Sequence, residues 1–347
     1  MKKIVGTIAA IALAASSAFA GVGIGSWGRA IWAPVQGDAS GVSSWEGISW
    51  GGNTVRTGIS IHGESENVGF NIDMNADGNA AGIGDTAYFW AKPWSWLELK
   101  VGKVQDDTGR GNGAYGIFNW KRMGLGWTGE DVTFTRFGNG AGAQANGAIV
   151  KVTPVDGLWI IAAMDVQDNQ PAEKTYLDNA QYGAGYVIDG IGHIRAQYIG
   201  GDDAKTIDGK DAIASRINAA FDLTAVENLF VTVGAYVPVD GNGGAANVNA
   251  YANLKLDAVS LHALVTTSIA SDFGFGVGIG ADVDLGNGLG ANFDVRYQKT
   301  DLSFLAGLTK GLSNGMIGVG FQGNVGGLDT SSSSFSWAVP VVISAWF

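Results

Sequence analysis

Ten charged side chains alternate along the chain with apolar residues, which places them on the polar face of extended segments. They are Arg56, Asp73, Glu98, Lys100, Arg195, Arg216, Asp222, Lys255, Asp294 and Arg296. Successive side chains of a strand point to opposite faces, so a charge at this spacing shares its face with the neighbouring polar residues. Basic and acidic groups on opposing walls of a constriction can orient solutes by a transverse field. They can also pair across neighbouring strands and do no more than keep the wall polar.

Catalytic chemistry finds little support in the residue pattern. His62, His193 and His262 are isolated, with no serine or carboxylate at a spacing that suggests a triad, and the sequence has no cluster of metal-ligand residues. The stretch Gly23–Gly28 matches G-x-G-x-x-G, but no helix pattern follows it, so a nucleotide site is not expected there. We therefore predict that the protein is not an enzyme and uses no cofactor or metal.

The segments that carry the ten charges have the pattern of short strands. Leu289–Tyr297 has an apolar or aromatic residue at every second position, with polar residues between them. The segments Val55–His62, Ile213–Asp222 and Leu229–Val237 show the same period of two. No segment shows the 3.6-residue period of an amphipathic helix. The sequence therefore predicts an all-β fold.

Short turns and longer polar loops alternate along the chain. Short turns are predicted at Lys92–Ser95, Pro154–Gly157, Asp189–Gly190, Ala225–Glu227, Asp257–Ala258 and Gly286–Gly288, and longer loops at Gln105–Gly113, Gln167–Tyr176, Gly201–Asp211, Pro238–Ala246 and Asn324–Ser333. This pattern indicates an antiparallel up-and-down β-barrel of about twenty strands. The count becomes eighteen or sixteen if Val35–Gly52, Gly113–Trp127 or Glu130–Gly138 folds inward instead of crossing.

Both ends of the chain carry recognisable signals. Residues 1–20 combine Lys2 and Lys3 with an apolar core and end in Ala18-Phe19-Ala20, the pattern of a cleaved signal peptide, which leaves residues 21–347 as the barrel. The last segment, Phe335–Phe347, is apolar at every second position and long enough to cross a bilayer as a strand. Pro340 within it removes a ladder hydrogen bond and suggests a bulge. We expect this strand to close the barrel against the strand that begins near Gly21.

The strand pattern and the terminal signals, Ala18-Phe19-Ala20 and Trp346-Phe347, resemble those of bacterial outer-membrane porins over residues 21–347. The resemblance implies a transmembrane barrel in the outer membrane of a diderm bacterium, with both termini in the periplasm. It also implies an aqueous channel for passive diffusion of small hydrophilic solutes or ions. The ten charged residues would line this pore, since an arginine facing lipid at mid-depth costs about 2–4 kcal/mol.

The same resemblance and the composition define the expected partners. Porins meet outer-membrane lipid, their solutes and the outer-membrane assembly machinery, and a homotrimer is one assembly that the resemblance allows. Removal of Lys2 and Lys3 with the signal peptide leaves 19 basic and 32 acidic residues, a net charge of −13. This charge argues against nucleic acid as a partner. The chain has no cysteine, so no disulfide can hold it together.

Three other interpretations fit the same pattern. A surface adhesin or structural barrel would keep its lumen closed and present its loops to a partner. A sugar-selective channel would need an aromatic track, and ten of the twelve tryptophans precede residue 160. A soluble exported β-sandwich would also alternate, with its apolar residues inside.

Overall fold

The computed structural model describes residues 21–46, 55–77, 80–109, 137–138, 147–165, 171–178, 180–201, 215–239, 245–270 and 273–347. The expected signal peptide, residues 1–20, lies outside these ranges. No helix in the described ranges is long and apolar enough to cross a membrane.

Nineteen strands lie in these ranges and belong to one antiparallel sheet. Their bounds are β1 Val22–Asp38, β2 Gly41–Glu46, β3 Val55–Glu64, β4 Val68–Asp77, β5 Ala80–Trp94, β6 Leu97–Lys103, β7 Gly147–Val152, β8 Leu158–Asp165, β9 Gln181–Ile188, β10 Gly192–Ile199, β11 Arg216–Leu223, β12 Leu229–Pro238, β13 Asn247–Leu256, β14 Val259–Ile269, β15 Phe273–Gly286, β16 Leu289–Gln298, β17 Asp301–Leu312, β18 Gly315–Gly326 and β19 Ser334–Trp346. A single helical turn, Lys174–Asp178, lies between β8 and β9. The predicted all-β class is confirmed.

The sheet closes on itself through its first and last strands. β1 and β19 are antiparallel neighbours, with Trp27 opposite Trp346 and Ala30 opposite Ile343. The ladder continues to the last residue, because Ser26 and Phe347 exchange two backbone hydrogen bonds, of 2.8 and 2.7 Å. The predicted pairing of the C-terminal strand with the strand near Gly21 is therefore confirmed. A single closed sheet also excludes the two-sheet sandwich.

Eighteen of the described strands form the ring, and β2 lies beside it. β6 pairs directly with β7, so the long connection between them adds no strand to the wall at that point. β2 folds back along the far end of β1, with Asp38 opposite Gly41. The described part of Val35–Gly52 thus forms a hairpin rather than another crossing, which gives the eighteen-strand alternative. The uncertain segment Gly113–Trp127 lies outside the described residues.

The two faces of the wall differ in burial and polarity. Ile194 and Val295 are 51% and 44% exposed, whereas the next residues, Arg195 and Arg296, are each 2% exposed. A soluble protein would bury its apolar residues instead. An exposed apolar outer face around a buried polar inner face is the arrangement of a barrel in lipid.

The short connections use residues that tolerate a left-handed backbone. β15 and β16 are joined at Asn287 and Gly288, with φ of 54° and 73°. Positive φ at both positions is typical of a type I′ turn, which favours the Asn-Gly pair. Asp257, with φ of 44°, takes the corresponding place between β13 and β14. We call this end of the barrel the short-turn rim; β1 begins there and β19 ends there.

The irregularity expected at Pro340 lies in the partner strand. Pro340 is fully buried within β19. The register between β1 and β19 shifts between Trp32 and Val35, which lie opposite the residues that flank Pro340. Because proline cannot donate to the ladder, a bulge on the facing strand accommodates the missing hydrogen bond.

Candidate functional site

Cross-strand registers place all ten predicted charged residues on the inner face of the wall. Arg56 lies on β3, Asp73 on β4, Glu98 and Lys100 on β6, Arg195 on β10, Arg216 and Asp222 on β11, Lys255 on β13, and Asp294 and Arg296 on β16. The structure brings Glu98 into contact with Lys100, and Arg195 into contact with Asp222. Lys255 is exposed at the short-turn rim, where no ion pair joins it to another described residue.

A row of alternating charges crosses β5, β6 and the chain that follows β6. We call Lys92, Glu98, Lys100 and Asp106 the charge row. Glu98 lies 3.1 Å from both Lys92 and Lys100, and Lys100 reaches Asp106 at 2.7 Å. The sequence pattern assigned Asp106 to a long polar loop, but the chain bends inward after β6 and buries it.

The environment of Asp106 stabilises its charged form. Burial acts to raise the pKa of Asp106, but the charge and hydrogen bond of Lys100 and the hydrogen bond of Thr108 outweigh burial and hold the pKa below its usual value. The carboxylate is therefore ionised in the folded protein at neutral pH and fixes the position of both neighbours.

Lys151 extends the charge row onto β7. Its Nζ donates to Thr108 Oγ1 at 2.6 Å. Asp106 positions Thr108 in turn, because its Oδ1 accepts a hydrogen bond from the Thr108 backbone N–H at 2.8 Å. The sequence prediction omitted Lys151, although it alternates with Val150 and Val152 as the ten selected residues do with their neighbours.

A second polar cluster joins β8, β10 and β11. Two guanidinium nitrogens of Arg195 donate to the Asp222 carboxylate, one of them at 2.9 Å. His193 Nδ1 lies 3.3 Å from Arg195, and His193 Nε2 accepts a hydrogen bond from the indole N–H of Trp159 at 3.0 Å. Bidentate pairs of this kind are strong and fixed in geometry. The cluster is therefore a rigid part of the inner wall.

A third cluster surrounds His262 on β14. Its Nδ1 lies 2.8 Å from the Tyr251 hydroxyl and 2.7 Å from Asn253 Nδ2, and its Nε2 lies 3.2 Å from Asp282. His193 and His262 look isolated in the sequence, yet each meets an aspartate across the sheet. Within the described ranges neither histidine forms a hydrogen bond with a serine, and no group of three His, Asp or Glu residues could hold a metal ion.

Aromatic rings support several cations of the inner face. The cationic groups of Arg56, Lys100 and Arg216 lie 5.8, 5.7 and 5.2 Å from the ring centres of Trp27, Tyr88 and Tyr236, respectively. Contacts at this distance are attractive because the ring face is electronegative. The rings keep these cations close to the wall.

Three inner tryptophans lie flat on the wall because the neighbouring strand offers a glycine. A Cβ atom placed on Gly58, Gly69 or Gly185 would stand only 2.4, 2.6 or 2.4 Å from the indoles of Trp27, Trp90 and Trp159, respectively. Any side chain at these positions would push the ring away. The glycines therefore let large rings cover the wall without projecting into the interior.

Arg29 on β1 is an inner cation that the sequence prediction missed. It lies opposite Arg56 of β3 on one side, and its Nε donates to Ser344 Oγ of β19 at 3.3 Å on the other. Arg29 directly follows the glycine-rich stretch Gly23–Gly28, where apolar and polar residues do not alternate clearly. Arg29 therefore adds a side-chain bond to the closure between β1 and β19.

The connection between β6 and β7 enters the barrel in both of its described parts, residues 104–109 and 137–138. Phe137 is fully buried and packs with Val104, Ile149, Trp159 and Ile161 on the inner face. Phe137 also forms a backbone bridge with Asp106. The polar inner wall thus contains an apolar patch around Phe137, on the same side as the charge row.

No protein-family model matches the chain, and no curated protein matches it in sequence. Solved structures do match. A mutant of Rh. blastica porin aligns with a TM-score of 0.55 and 15% identity, covering 94% of this chain and 100% of that one. Another mutant of this porin gives a TM-score of 0.53 at 17% identity with the same coverage. OpdL of Pseudomonas aeruginosa gives 0.58 at 10% identity, covering 94% of this chain and 98% of that one.

The fold is that of a porin. The resemblance indicated by the strand pattern and the two terminal signals is confirmed for the fold, over nearly the whole chain. At identities this low the likeness concerns architecture alone, so the roles of individual residues must be argued from this chain's own contacts.

Proposed function

We propose that the barrel is an outer-membrane channel through which small hydrophilic solutes or ions diffuse passively. The observation that supports this most directly is the contrast between a buried, charged inner face and an exposed apolar outer face. A ring of eighteen strands is wide enough to enclose an aqueous lumen. A polar wall replaces part of a solute's hydration, while weak and distributed contacts let the solute leave again.

The ten predicted charged residues, together with Arg29 and Lys151, are the proposed pore lining. Glu98 pairs with Lys100 along β6, and Arg195 pairs with Asp222 across β10 and β11. These local pairs are consistent with a wall kept polar by neighbouring opposite charges. Basic and acidic groups on opposing sides would in addition orient solutes by a transverse field. Neutralising Glu98 and neutralising Lys100 should then shift ion selectivity in opposite directions, as measured by the reversal potential in a salt gradient.

Single-channel recording in planar bilayers tests the proposed function. Folded protein, identified by heat-modifiable migration on gels, should produce discrete openings whose conductance rises with salt concentration. Folded protein that inserts into the bilayer and never opens would rule the proposal out.

Two other functions have an observation in their favour. The apolar patch around Phe137 occupies part of the interior, as a closed-lumen adhesin or structural barrel would require. Deletion of Gln167–Tyr176 or Gly201–Asp211 should then abolish ligand binding. The partly exposed rings of Trp27 and Trp90 offer stacking surfaces for sugars. Concentration-dependent block of the current by an oligosaccharide would indicate a sugar-selective channel.

The remaining features of the proposal concern maturation and placement. We propose cleavage after Ala20, periplasmic termini and contact with the outer-membrane assembly machinery, all of which follow from the porin resemblance. The mass of the mature chain tests the cleavage site, and protease access from either side of the membrane tests the orientation. Crosslinking in native membranes distinguishes a monomer from a homotrimer.

A further inference from the structure

The charge row and its neighbour on β7 contain one more lysine than carboxylates. Lys92, Lys100 and Lys151 stand beside Glu98 and Asp106. Glu98 is shared by Lys92 and Lys100, and Asp106 is in contact with Lys100. Lys151 donates to the neutral Thr108 hydroxyl, and its charge acts on Asp106 without forming an ion pair with a described carboxylate. The surplus positive charge of this part of the wall therefore lies at Lys151.

A cavity of about 420 Å³ opens beside Lys151, near the short-turn rim. Its lining includes Ser95, Trp96, Thr108, Lys151, Thr153 and Trp159. The volume falls within the range of pockets that bind small molecules. Its lining combines residues of β7, β8 and the turns of the short-turn rim with Thr108 of the chain that follows β6.

Four polar side chains of this cavity can donate hydrogen bonds, the ammonium group of Lys151 and the hydroxyls of Ser95, Thr108 and Thr153. An ammonium group has three N–H donors, and Lys151 uses one of them for Thr108. Because Thr108 Oγ1 accepts that bond, its own hydroxyl hydrogen can be donated to a third group. Ser95 and Thr153 add hydroxyls to the same lining. Ammonium and hydroxyl donors that converge on one space suit an anionic oxygen.

Asp156 is the one carboxylate in the cavity lining. It lies in the turn between β7 and β8 and is exposed to solvent. Water and salt screen an exposed charge more than one enclosed by the wall. Asp156 should therefore weaken the attraction of the cavity for an anion without reversing it.

We propose that this cavity binds a small oxyanion, either a free ion or the anionic group of a larger solute, with Lys151 and Thr108 as its principal donors. Trp96 and Trp159 supply an apolar side for the carbon part of such a solute. The negative charge of the bound oxyanion would lie beside Lys151 and would continue the alternation of positive and negative charges along the charge row. The site does not depend on the proposed channel function, because binding can be measured on folded protein in neutral detergent without any membrane current.

Acetate and its uncharged isostere acetamide are suitable probes. Saturation-transfer NMR should show acetate bound to the folded parent protein, and acetamide bound much more weakly. Lys151→Gln should weaken acetate binding by about tenfold or more, since a hydrogen bond to a charged group is lost. Lys151→Arg should retain binding, which separates loss of charge from loss of folding. Lys310→Gln is the matched control, because Lys310 lies at the same rim on the outer face.

Two results would overturn the proposal. One is equal acetate binding by the parent and the folded Lys151→Gln variant. The other is weaker acetate binding by Asp156→Asn, since removal of a nearby negative charge should tighten the binding of an anion. Tighter binding by Asp156→Asn, together with a loss in Thr108→Val, would support the assigned donors. If acetate binds as proposed while the parent shows no channel openings, only the channel function fails.

Discussion

Two arcs of the wall, separated by β1, β3, β4 and β5, are built in different ways. The arc of β6 and β7 carries Glu98, Lys100 and Lys151 on its inner face. The arc of β18 and β19 contains no charged residue on either face. Apart from the bond that Arg29 of β1 donates to Ser344, the inner side of this second arc has neutral contacts, such as the hydrogen bond from Ser303 Oγ of β17 to Asn324 Oδ1 at 2.7 Å.

The difference shows two ways of keeping an inner wall polar. The charged arc concentrates its stability in a few ion pairs that share partners, so each member depends on the others. The neutral arc distributes stability over weaker hydrogen bonds that are nearly independent. Single substitutions should therefore have unequal effects on the two arcs.

Lys100→Met should have the largest effect. Glu98 and Asp106 would lose their shared cation while remaining largely enclosed, and breaking a buried ion pair in this way costs about 3–5 kcal/mol. Urea unfolding of the refolded protein, followed by tryptophan fluorescence, measures the change. Lys310→Met on the outer face, where the lysine contacts the Asn287 carbonyl oxygen, is the control and should change stability by less than about 1 kcal/mol. Equal losses in both variants would contradict the special role of the charge row.

Gly185→Ala should have the next largest effect. It tests whether side chains outside the charged arc are packed as closely as those of the charge row. The new Cβ would stand 2.4 Å from the Trp159 ring, so the ring must leave the wall and its bond to His193 is strained. Overpacking of this kind costs about 1–3 kcal/mol. The displaced ring should also reduce the single-channel conductance under the proposed function.

Gly82→Ala is the matched control for this substitution. A Cβ atom there meets nothing within 4 Å, so the same added methyl group should leave both stability and conductance close to those of the parent. A Gly185→Ala protein that behaves like Gly82→Ala would show that Trp159 is not held by its glycine.

As the pH falls, the charged arc should lose stability before the neutral arc does. The pKa of Asp106 is lower in the folded protein than the ordinary value of about 3.9. Its contribution is therefore fully present above that ordinary value and is lost as the pH falls through the lowered folded pKa. Unfolding midpoints recorded through the acid range should fall more steeply for the parent than for Asp106→Asn. Parallel curves for the two proteins would assign the acid sensitivity to other groups.

Asn324→Ala, in the neutral arc, should have the smallest effect. It removes one neutral hydrogen bond with Ser303, worth about 1 kcal/mol. The double variant with Ser303→Ala should cost little more than the single variant, because both changes remove the same bond. A loss as large as that of Lys100→Met would mean that the two arcs do not differ in the way described here.

The features that repeat locally could be predicted from the sequence. Alternation with a period of two identifies strands. The position of a charged residue in this alternation then shows which face of the sheet it lies on, even when its contact partner is unknown. This is why all ten selected residues share the polar face. The aromatic C-terminal segment, Phe335–Phe347, likewise indicated how the barrel closes.

The contacts between distant segments could not be predicted in this way. Arg195 meets Asp222 because β10 and β11 adopt one register, and a shift by one residue would turn the two side chains to opposite faces. Asp106 and Phe137 turn inward through long-range contacts that no local period marks. The number of strands in the ring depended on the connection between β6 and β7. Only the direct pairing of β6 with β7 shows that this connection adds no strand between them.

The seam between β1 and β19 makes the wall cyclic in space although the chain is linear. The backbone ladder runs from Ser26 to Phe347 as it would between any two strands joined by a turn. Each ring strand therefore has two neighbours within the ring, and the position of the covalent ends marks no weak place in the circumference. The order in which the strands are synthesised leaves no trace in the hydrogen bonding of the finished wall.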